Sequence, residues 1–380
     1  MNDTVRVATP PAAVWAAIYI GVAAATLPAV LPVIIGVFAD HFGYGIAEAG
    51  MIASLNMGGI LVGSLLCPVI AARLSWSVAA RCGLGVMIAG NLLTMLDGSY
   101  AYIAATRVFS GLGEGVVAGI CYAAMGRSAW PERAVSLYFA GQSILGIIGL
   151  GSFGWIAATF GWQWLFVALS LVAVPGFWLA PVIGTAQQAG PVSESGLRVP
   201  GNRLAIGALG FVLIYFIGMA SLWPFLERIG VGKGFDAGSV AFALSASAFG
   251  GLAGSLAAGA VADRLSRRAG LFIGTVILVC GIAGLGLPMG PVGFAIAISL
   301  FAFAWPFQYA FQFGLLASAD RSGRIVTLTP AITGGGLVVG PAVGGLFLQY
   351  LGLGTVAAFC VACVAISVAG ALYINRKAGR

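Results

Sequence analysis

The sequence predicts an all-α membrane protein of twelve transmembrane helices in two parallel-repeat six-helix bundles. Three observations predict it: a succession of long apolar runs, a lopsided placement of the basic residues between them, and an internal repeat at a constant offset. Hydrophobic residues make up 60% of the 380 positions and charged residues 8%, so lipid is the solvent for most of the chain and a soluble domain is excluded.

A helix needs about 20 apolar residues to cross the hydrocarbon. Runs of that kind cover 12–38, 46–71, 78–97, 100–125, 134–159 and 162–184, then 203–227, 237–261, 269–288, 291–316, 325–349 and 353–374. The first run is far longer than the apolar region of a signal peptide and reads as span 1. The breaks between runs are short and rich in Gly, Pro and charge. With the N-terminus in the cytoplasm, Arg6, Arg73, Arg81, Arg127, Arg133, Arg198, Arg203, Arg264, Arg267, Arg268, Arg321, Arg324, Arg376, Lys377 and Arg380 all fall on that side, and only Arg228 and Lys233 fall outside. This asymmetry places both termini on the cytoplasmic side and supports the count, because a missed helix would exchange inside and outside beyond it. It also accounts for the net charge of +7 without nucleic acid.

Shifting the chain by 191 residues lays the second half on the first without a gap. Gly59 and Gly63 land on Gly250 and Gly254, Arg73-Leu74-Ser75 on Arg264-Leu265-Ser266, Arg133 on Arg324, and Gly161 on Gly352. Six is even, so both halves enter the membrane from the same side and a solute site is expected near mid-membrane between them. The predicted domains are an N-terminal bundle over 1–184, a polar linker over 185–202 and a C-terminal bundle over 203–380.

The motifs on these spans resemble the major facilitator superfamily, bacterial twelve-helix type, over essentially the whole chain. The loop after span 8 reads Gly259-x-x-x-Asp263-Arg264-x-x-Arg267-Arg268, similar to the family's signature loop with Ser266 where a second Gly is usual. Its counterpart after span 2 keeps Arg73 but has Ala72, Trp76 and Ser77 in place of the acid and the basic pair. The resemblance implies a cytoplasmic gate carried by Asp263, Arg264, Arg267, Arg268 and Arg73, stronger on the second-half side. Arg107-x-x-x-Gly111-x-Gly113 in span 4 and Gly161-Trp162-Gln163-Trp164-x-Phe166 at span 6 also resemble family sequences. Gly340-Pro341-Ala342-Val343-Gly344-Gly345 is similar to the fifth-helix string of proton-driven drug exporters, displaced here to span 11.

Two ionisable groups lie inside a span, and each costs about 2.5 to 3.5 kcal/mol to insert, which marks it as a functional candidate. Both are in span 4: Glu114 reads as the proton-coupling carboxylate, and Arg107, seven residues earlier and on nearly the same face, as a partner for Glu114 or for an anionic solute. A structural pairing that only ties span 4 to span 1 is the plainer alternative for Arg107. Trp305 and Ile298 stand at the repeat positions of Glu114 and Arg107, so charge handling belongs to the first half. Around Trp305, the residues Gln308, Tyr309 and Gln312 mix aromatic faces with amides, as a site for a small organic solute requires; Phe307 and Phe311 read as lipid-facing filler. Asn56, Gln142, Ser143, Tyr215 and Thr333 complete the candidate solute-binding set. Pro28, Pro32 and Trp223-Pro224 read as hinges or kinks.

Glu227, Arg228, Lys233 and Asp236 read as a solvated outer loop, and His41 beside Asp40 as a surface residue. One histidine and no acidic cluster argue against a metal, the six cysteines read as packing residues, and without a phosphate loop no ATP hydrolysis is expected. No nucleophile and base can be paired, so no enzymatic activity and no cofactor are predicted. The expected function is proton-coupled secondary transport of a small organic solute, possibly an organic anion, by a monomer whose partners are the solute, protons and lipid. Proton-antiport efflux of drugs or hydrophobic compounds, and a non-transporting receptor or assembly factor on the same scaffold, are the competing readings.

Overall fold

The structure, a computed structural model, describes residues 9–187, 203–261, 264–319 and 324–378, and there the chain is helical apart from short connections and one isolated bridge between Thr9 and Ser128. Among the described residues, eleven helical stretches are long and apolar enough to cross a membrane. The twelfth is span 1, which is not the single run the hydropathy suggests. It is divided into α1 (Pro11–Ala24), α2 (Thr26–Ala29) and α3 (Leu31–Phe42). Pro28 and Pro32 cannot donate to the helical ladder, and the interruptions at Ala25 and Val30 fall just ahead of them.

The rest of the first half follows the predicted order: α4 (Ile46–Arg73), α5 (Trp76–Leu93), α6 (Tyr100–Gly126), α7 (Pro131–Phe160), then α8 (Trp162–Ala173) and α9 (Gly176–Gln187), which share span 6 across Pro175. In the second half, span 7 is α10 (Arg203–Leu222), a 3₁₀ turn at Trp223–Phe225 and α11 (Leu226–Gly232), the turn falling at Trp223-Pro224. It is followed by α12 (Ala237–Val261), α13 (Arg267–Gly286), α14 (Pro291–Ala319), α15 (Arg324–Tyr350) and α16 (Leu353–Ala378).

The 191-residue repeat reappears in the geometry. Glycines with positive φ end helices at Gly43 and Gly234 and at Gly161 and Gly352, two pairs at that offset in a backbone region other residues avoid. Ser75 caps α5 by accepting from Val78 N at 3.3 Å, and Ser266 caps α13 by accepting from Ala269 N at 3.2 Å. A Cβ on Gly59 or Gly63 would run into the carbonyls of Val108 or Leu112, and one on Gly250 or Gly254 into those of Ser299 or Phe303. In both halves, then, the second and fourth spans meet backbone to backbone through the same glycine pair.

By contacts the chain forms two compact units. One holds residues 1–30, 55–149 and 155–194, the other 31–54, 150–154 and 195–380. The first has a continuous core of small and aliphatic residues from α1, α5, α6 and α9, such as Ala17, Leu84, Val117 and Ile183. Large apolar side chains such as Trp178, Phe242 and Phe272 are exposed, as a lipid-solvated surface requires.

Two sequence readings change here. Glu227 and Arg228 are not in a solvated loop but on α11, with side chains only 16% and 9% exposed. Arg228 Nη2 donates to Asp40 Oδ2 at 2.6 Å and to Glu227 Oε1 at 2.7 Å, so the guanidinium is satisfied within the second unit, where α3 lies against α11. Hydropathy counts such charges without seeing the partner that lets them be buried. Phe307 and Phe311, expected to face lipid, are buried in a small cluster with Leu271 and Ala371.

Candidate functional site

The polar centre of the first unit is built on α6, which lies between α4 and α5 because glycines remove the side chains that would hold the backbones apart. Gly111 and Gly115 sit against the carbonyls of Asn56 and Ile60 on α4, and Gly113 against that of Gly83 on α5. Side chains leaving α6 between these contacts reach both neighbours. Arg107 and Glu114 are each almost fully buried, 1% and 2% exposed.

Arg107 turns to α5. Its Nη1 donates to Asn91 Oδ1 at 3.0 Å, and its Nη2 donates to the Gly90 carbonyl at 2.7 Å and to Thr94 Oγ1 at 2.6 Å. The guanidinium carbon stands 5.1 Å from the Phe166 ring centroid, which adds a cation–π contact. Only Nε is without a partner. Glu114 is held otherwise: Oε1 accepts from Ser110 Oγ at 3.0 Å and Oε2 from Asn56 Nδ2 at 3.3 Å. Both donors are neutral, and no cation among the described residues is within ion-pair distance of this carboxylate. Ser110 Oγ also lies 3.4 Å from Asn91 Oδ1 and 3.3 Å from the Met87 carbonyl, so a chain of polar groups runs from Arg107 through Asn91 and Ser110 to Glu114 and Asn56.

The candidates of the second unit lie on α10, α14 and α15. Tyr215 is fully buried and donates its hydroxyl to the Trp305 carbonyl at 2.9 Å. Phe216 packs edge-on against Trp305 and Tyr309, with centroids 6.0 and 5.0 Å away, and the rings of Trp305 and Tyr309 are half-buried. Gln308 Nε2 donates to Thr275 Oγ1 at 2.7 Å and to the Leu271 carbonyl at 3.3 Å. One turn on, Gln312 borders a small cavity with Ser367, and neither side chain has a hydrogen-bond partner among the described residues. Thr333 is half-buried on α15.

Three predicted residues, Asn56, Arg107 and Glu114, therefore meet in one network, and Tyr215, Trp305 and Gln308 share one region of the second unit. Gln142 stands apart from the network and donates to the Tyr138 hydroxyl one turn away on α7. Of the gate residues, Arg73 ends α4 and Arg264, Arg267 and Arg268 surround the start of α13, all exposed, while Asp263 lies outside the described residues. Asn91, Thr94 and Ser110 were missed. Ser110 was findable, since it lies three residues after Arg107 and four before Glu114 on the same helix. Asn91 and Thr94 are uncharged residues in an apolar run and carry no comparable signal.

The family model described as Major Facilitator Superfamily matches residues 14–303. Among solved structures the fold is similar to that of a bacterial homolog to the human lysosomal transporter Spinster, in an inward-facing and unoccupied conformation. The match has a TM-score of 0.66 and 14% sequence identity, and covers 95% of each chain. No curated protein matches the chain.

Proposed function

Because this chain belongs to the major facilitator superfamily, a family of membrane transporters, we propose that it is a proton-coupled secondary active transporter of a small organic solute, with Glu114 as the proton-carrying group. The observation that carries this reading is a buried carboxylate bonded only by Ser110 and Asn56. A carboxylate buried for structure alone is ordinarily paired with a cation, since an unpaired buried charge is costly. One held by neutral donors can take up a proton and release it without breaking an ion pair.

The aromatic group of Tyr215, Phe216, Trp305 and Tyr309 supports a solute with an apolar or aromatic part. The engagement of Arg107 by Asn91, Thr94 and the Gly90 carbonyl leaves its guanidinium little capacity for an anion. That favours, as a second reading, efflux of hydrophobic or cationic compounds in exchange for protons. In this proposal residues 1–184 and 203–380 are the functional halves, the termini are cytoplasmic, and the basic residues around Arg73 and Arg264 to Arg268 contribute to a gate.

The test begins with a thermal-shift panel of organic acids, sugars and cationic drugs on the purified protein, since a ligand that binds the folded form raises its melting temperature. A hit is then assayed in proteoliposomes with an imposed pH gradient. Glu114→Gln is expected to lower gradient-driven accumulation at least about 10-fold while the thermal shift with the ligand persists, the loss expected when a group handling the proton is replaced. Accumulation equal to that of the unaltered protein would remove Glu114 from the coupling.

A further inference from the structure

The bond between Asn56 and Glu114 has a property its strength does not convey. Asn56 is 1% exposed, its Nδ2 donates to Glu114 Oε2 at 3.3 Å, and its Oδ1 is buried with no partner. A primary amide presents a donor on one side and an acceptor on the other, and half a turn about its last torsion exchanges them. In the present orientation the amide suits an ionised carboxylate, which only accepts. Once the carboxyl carries a proton on Oε2 it becomes a donor, and the same contact is satisfied when Oδ1 takes the place of Nδ2. Each orientation makes one bond to Glu114 and leaves one amide atom over, so the number of bonds does not decide between them, and the state of the carboxyl does.

The surroundings support this division of labour. From α5, the groups around the network are Asn91, Thr94 and the Met87 and Gly90 carbonyls, and the one other buried charge described in this unit, Arg107, is bonded to three of them. From α6, Ser110 has one proton and three acceptors within 3.4 Å: Glu114 Oε1, Asn91 Oδ1 and the Met87 carbonyl. From α4, Asn56 alone reaches the carboxylate by a hydrogen bond, and it sits two residues past Ser54, where α4 passes from the second unit to the first. Resting on the proton role given to Glu114, we infer that Asn56 is a positioning residue whose amide reverses when Glu114 is protonated, so that α4 registers the proton. It acts through Glu114 and binds neither proton nor solute itself.

The experiment is infrared difference spectroscopy of the purified full-length protein in lipid nanodiscs, titrated with protons alone over a pH range of about 5 to 9, which spans the ordinary titration of perturbed carboxyls. The C=O stretching band of protonated Glu114 is identified by its loss in Glu114→Gln. With Asn56 intact, the band should sit at the frequency of a hydrogen-bonded carboxyl. In Asn56→Leu, and in Asn56→Ala, which only removes atoms and covers the case in which the leucine does not fit, it should move to a higher frequency, because only the Ser110 bond to the carboxyl then remains. The difference bands of a reorienting amide should vanish in both. A Glu114 band at an unchanged frequency in the two Asn56 variants overturns this inference and leaves the proton role standing. Absence of any band sensitive to Glu114→Gln in the unaltered protein overturns the proton role, and this inference with it.

Discussion

The fourth and tenth spans occupy equivalent places in the repeat, and their comparison separates what packs the helices from what does the chemistry. The backbone contacts coincide: Gly59 and Gly63 on α4 meet the Val108 and Leu112 carbonyls of α6, and Gly250 and Gly254 on α12 meet the Ser299 and Phe303 carbonyls of α14. The side chains do not. Arg107, Ser110 and Glu114 face Ile298, Phe301 and Trp305 in the other copy, while Val117 and Leu84 of the first half become Gln308 and Thr275, joined by a 2.7 Å hydrogen bond. Each half thus has a polar cluster beside the same helix contact, at a different level and of different chemistry. The glycines specify where the helices lie, and the residues between them are free to become a buried acid in one half and an aromatic face in the other.

If that division holds, equivalent glycine substitutions should do equal harm although the chemistry around them differs. Gly63→Leu and Gly254→Leu each force a side chain into a carbonyl that cannot retreat, and each is expected to lower stability by roughly 3 kcal/mol or more, the upper range for overpacking. Expression and size-exclusion profiles of the two variants measure this, and a marked loss in only one half would break the equivalence.

Polar substitutions should instead differ between halves. Arg107→Met removes the donors to Asn91, Thr94 and the Gly90 carbonyl and is expected to cost roughly 3 kcal/mol. Gln308→Leu removes one amide, yet Thr275 Oγ1 keeps its own bond to the Leu271 carbonyl at 2.8 Å, and the unpartnered Gln308 Oε1 goes with the side chain, so a change within about 1 kcal/mol is expected. Thermal unfolding in detergent compares the two. Equal losses would mean that the amide cluster of the second half is as structural as the arginine cluster of the first.

Much of this arrangement was legible because it is repeated. The loop pairs Arg73-Leu74-Ser75 and Arg264-Leu265-Ser266 announced the offset, and in both copies the serine caps the helix that follows. Arg107 and Glu114 were visible as the charges that lipid penalises. Their separate partners were not. A seven-residue spacing puts them on nearly one face, but that face is flanked by α4 and α5, and a long and a shorter side chain choose different neighbours. The burial of Arg228 with Asp40 and Glu227 was hidden because it depends on residues 188 positions apart in sequence. Phe307 and Phe311 were misplaced because aromatic residues in an apolar run look alike whether lipid or protein covers them.

The smallest expected effect concerns two helix starts at equivalent positions. At the start of α4 the Gly45 N–H donates to Glu48 Oε2 at 2.9 Å, whereas at the start of α12 the direction is reversed: Asp236, at the repeat position of Gly45, accepts from Ser239 N at 3.0 Å and from Ser239 Oγ at 2.6 Å. Those bonds hold the Asp236 carboxyl below its ordinary value. A group whose folded value is depressed stabilises above its unfolded value, near about 3.9, and loses that contribution as pH falls through the folded value. Asp236→Asn keeps an acceptor at the cap and removes the titration, so the Tm of the two proteins should differ by only about 1 °C at neutral pH, and that difference should shrink below about pH 4. The equivalent change at Glu48, which caps from within the first turn, tests whether the two devices are interchangeable: Glu48→Gln retains a carbonyl acceptor for Gly45 and should be tolerated as well as Asp236→Asn. A loss confined to Glu48→Gln would mean that the charge at the helix start, and not the acceptor, supplies the cap in the first half.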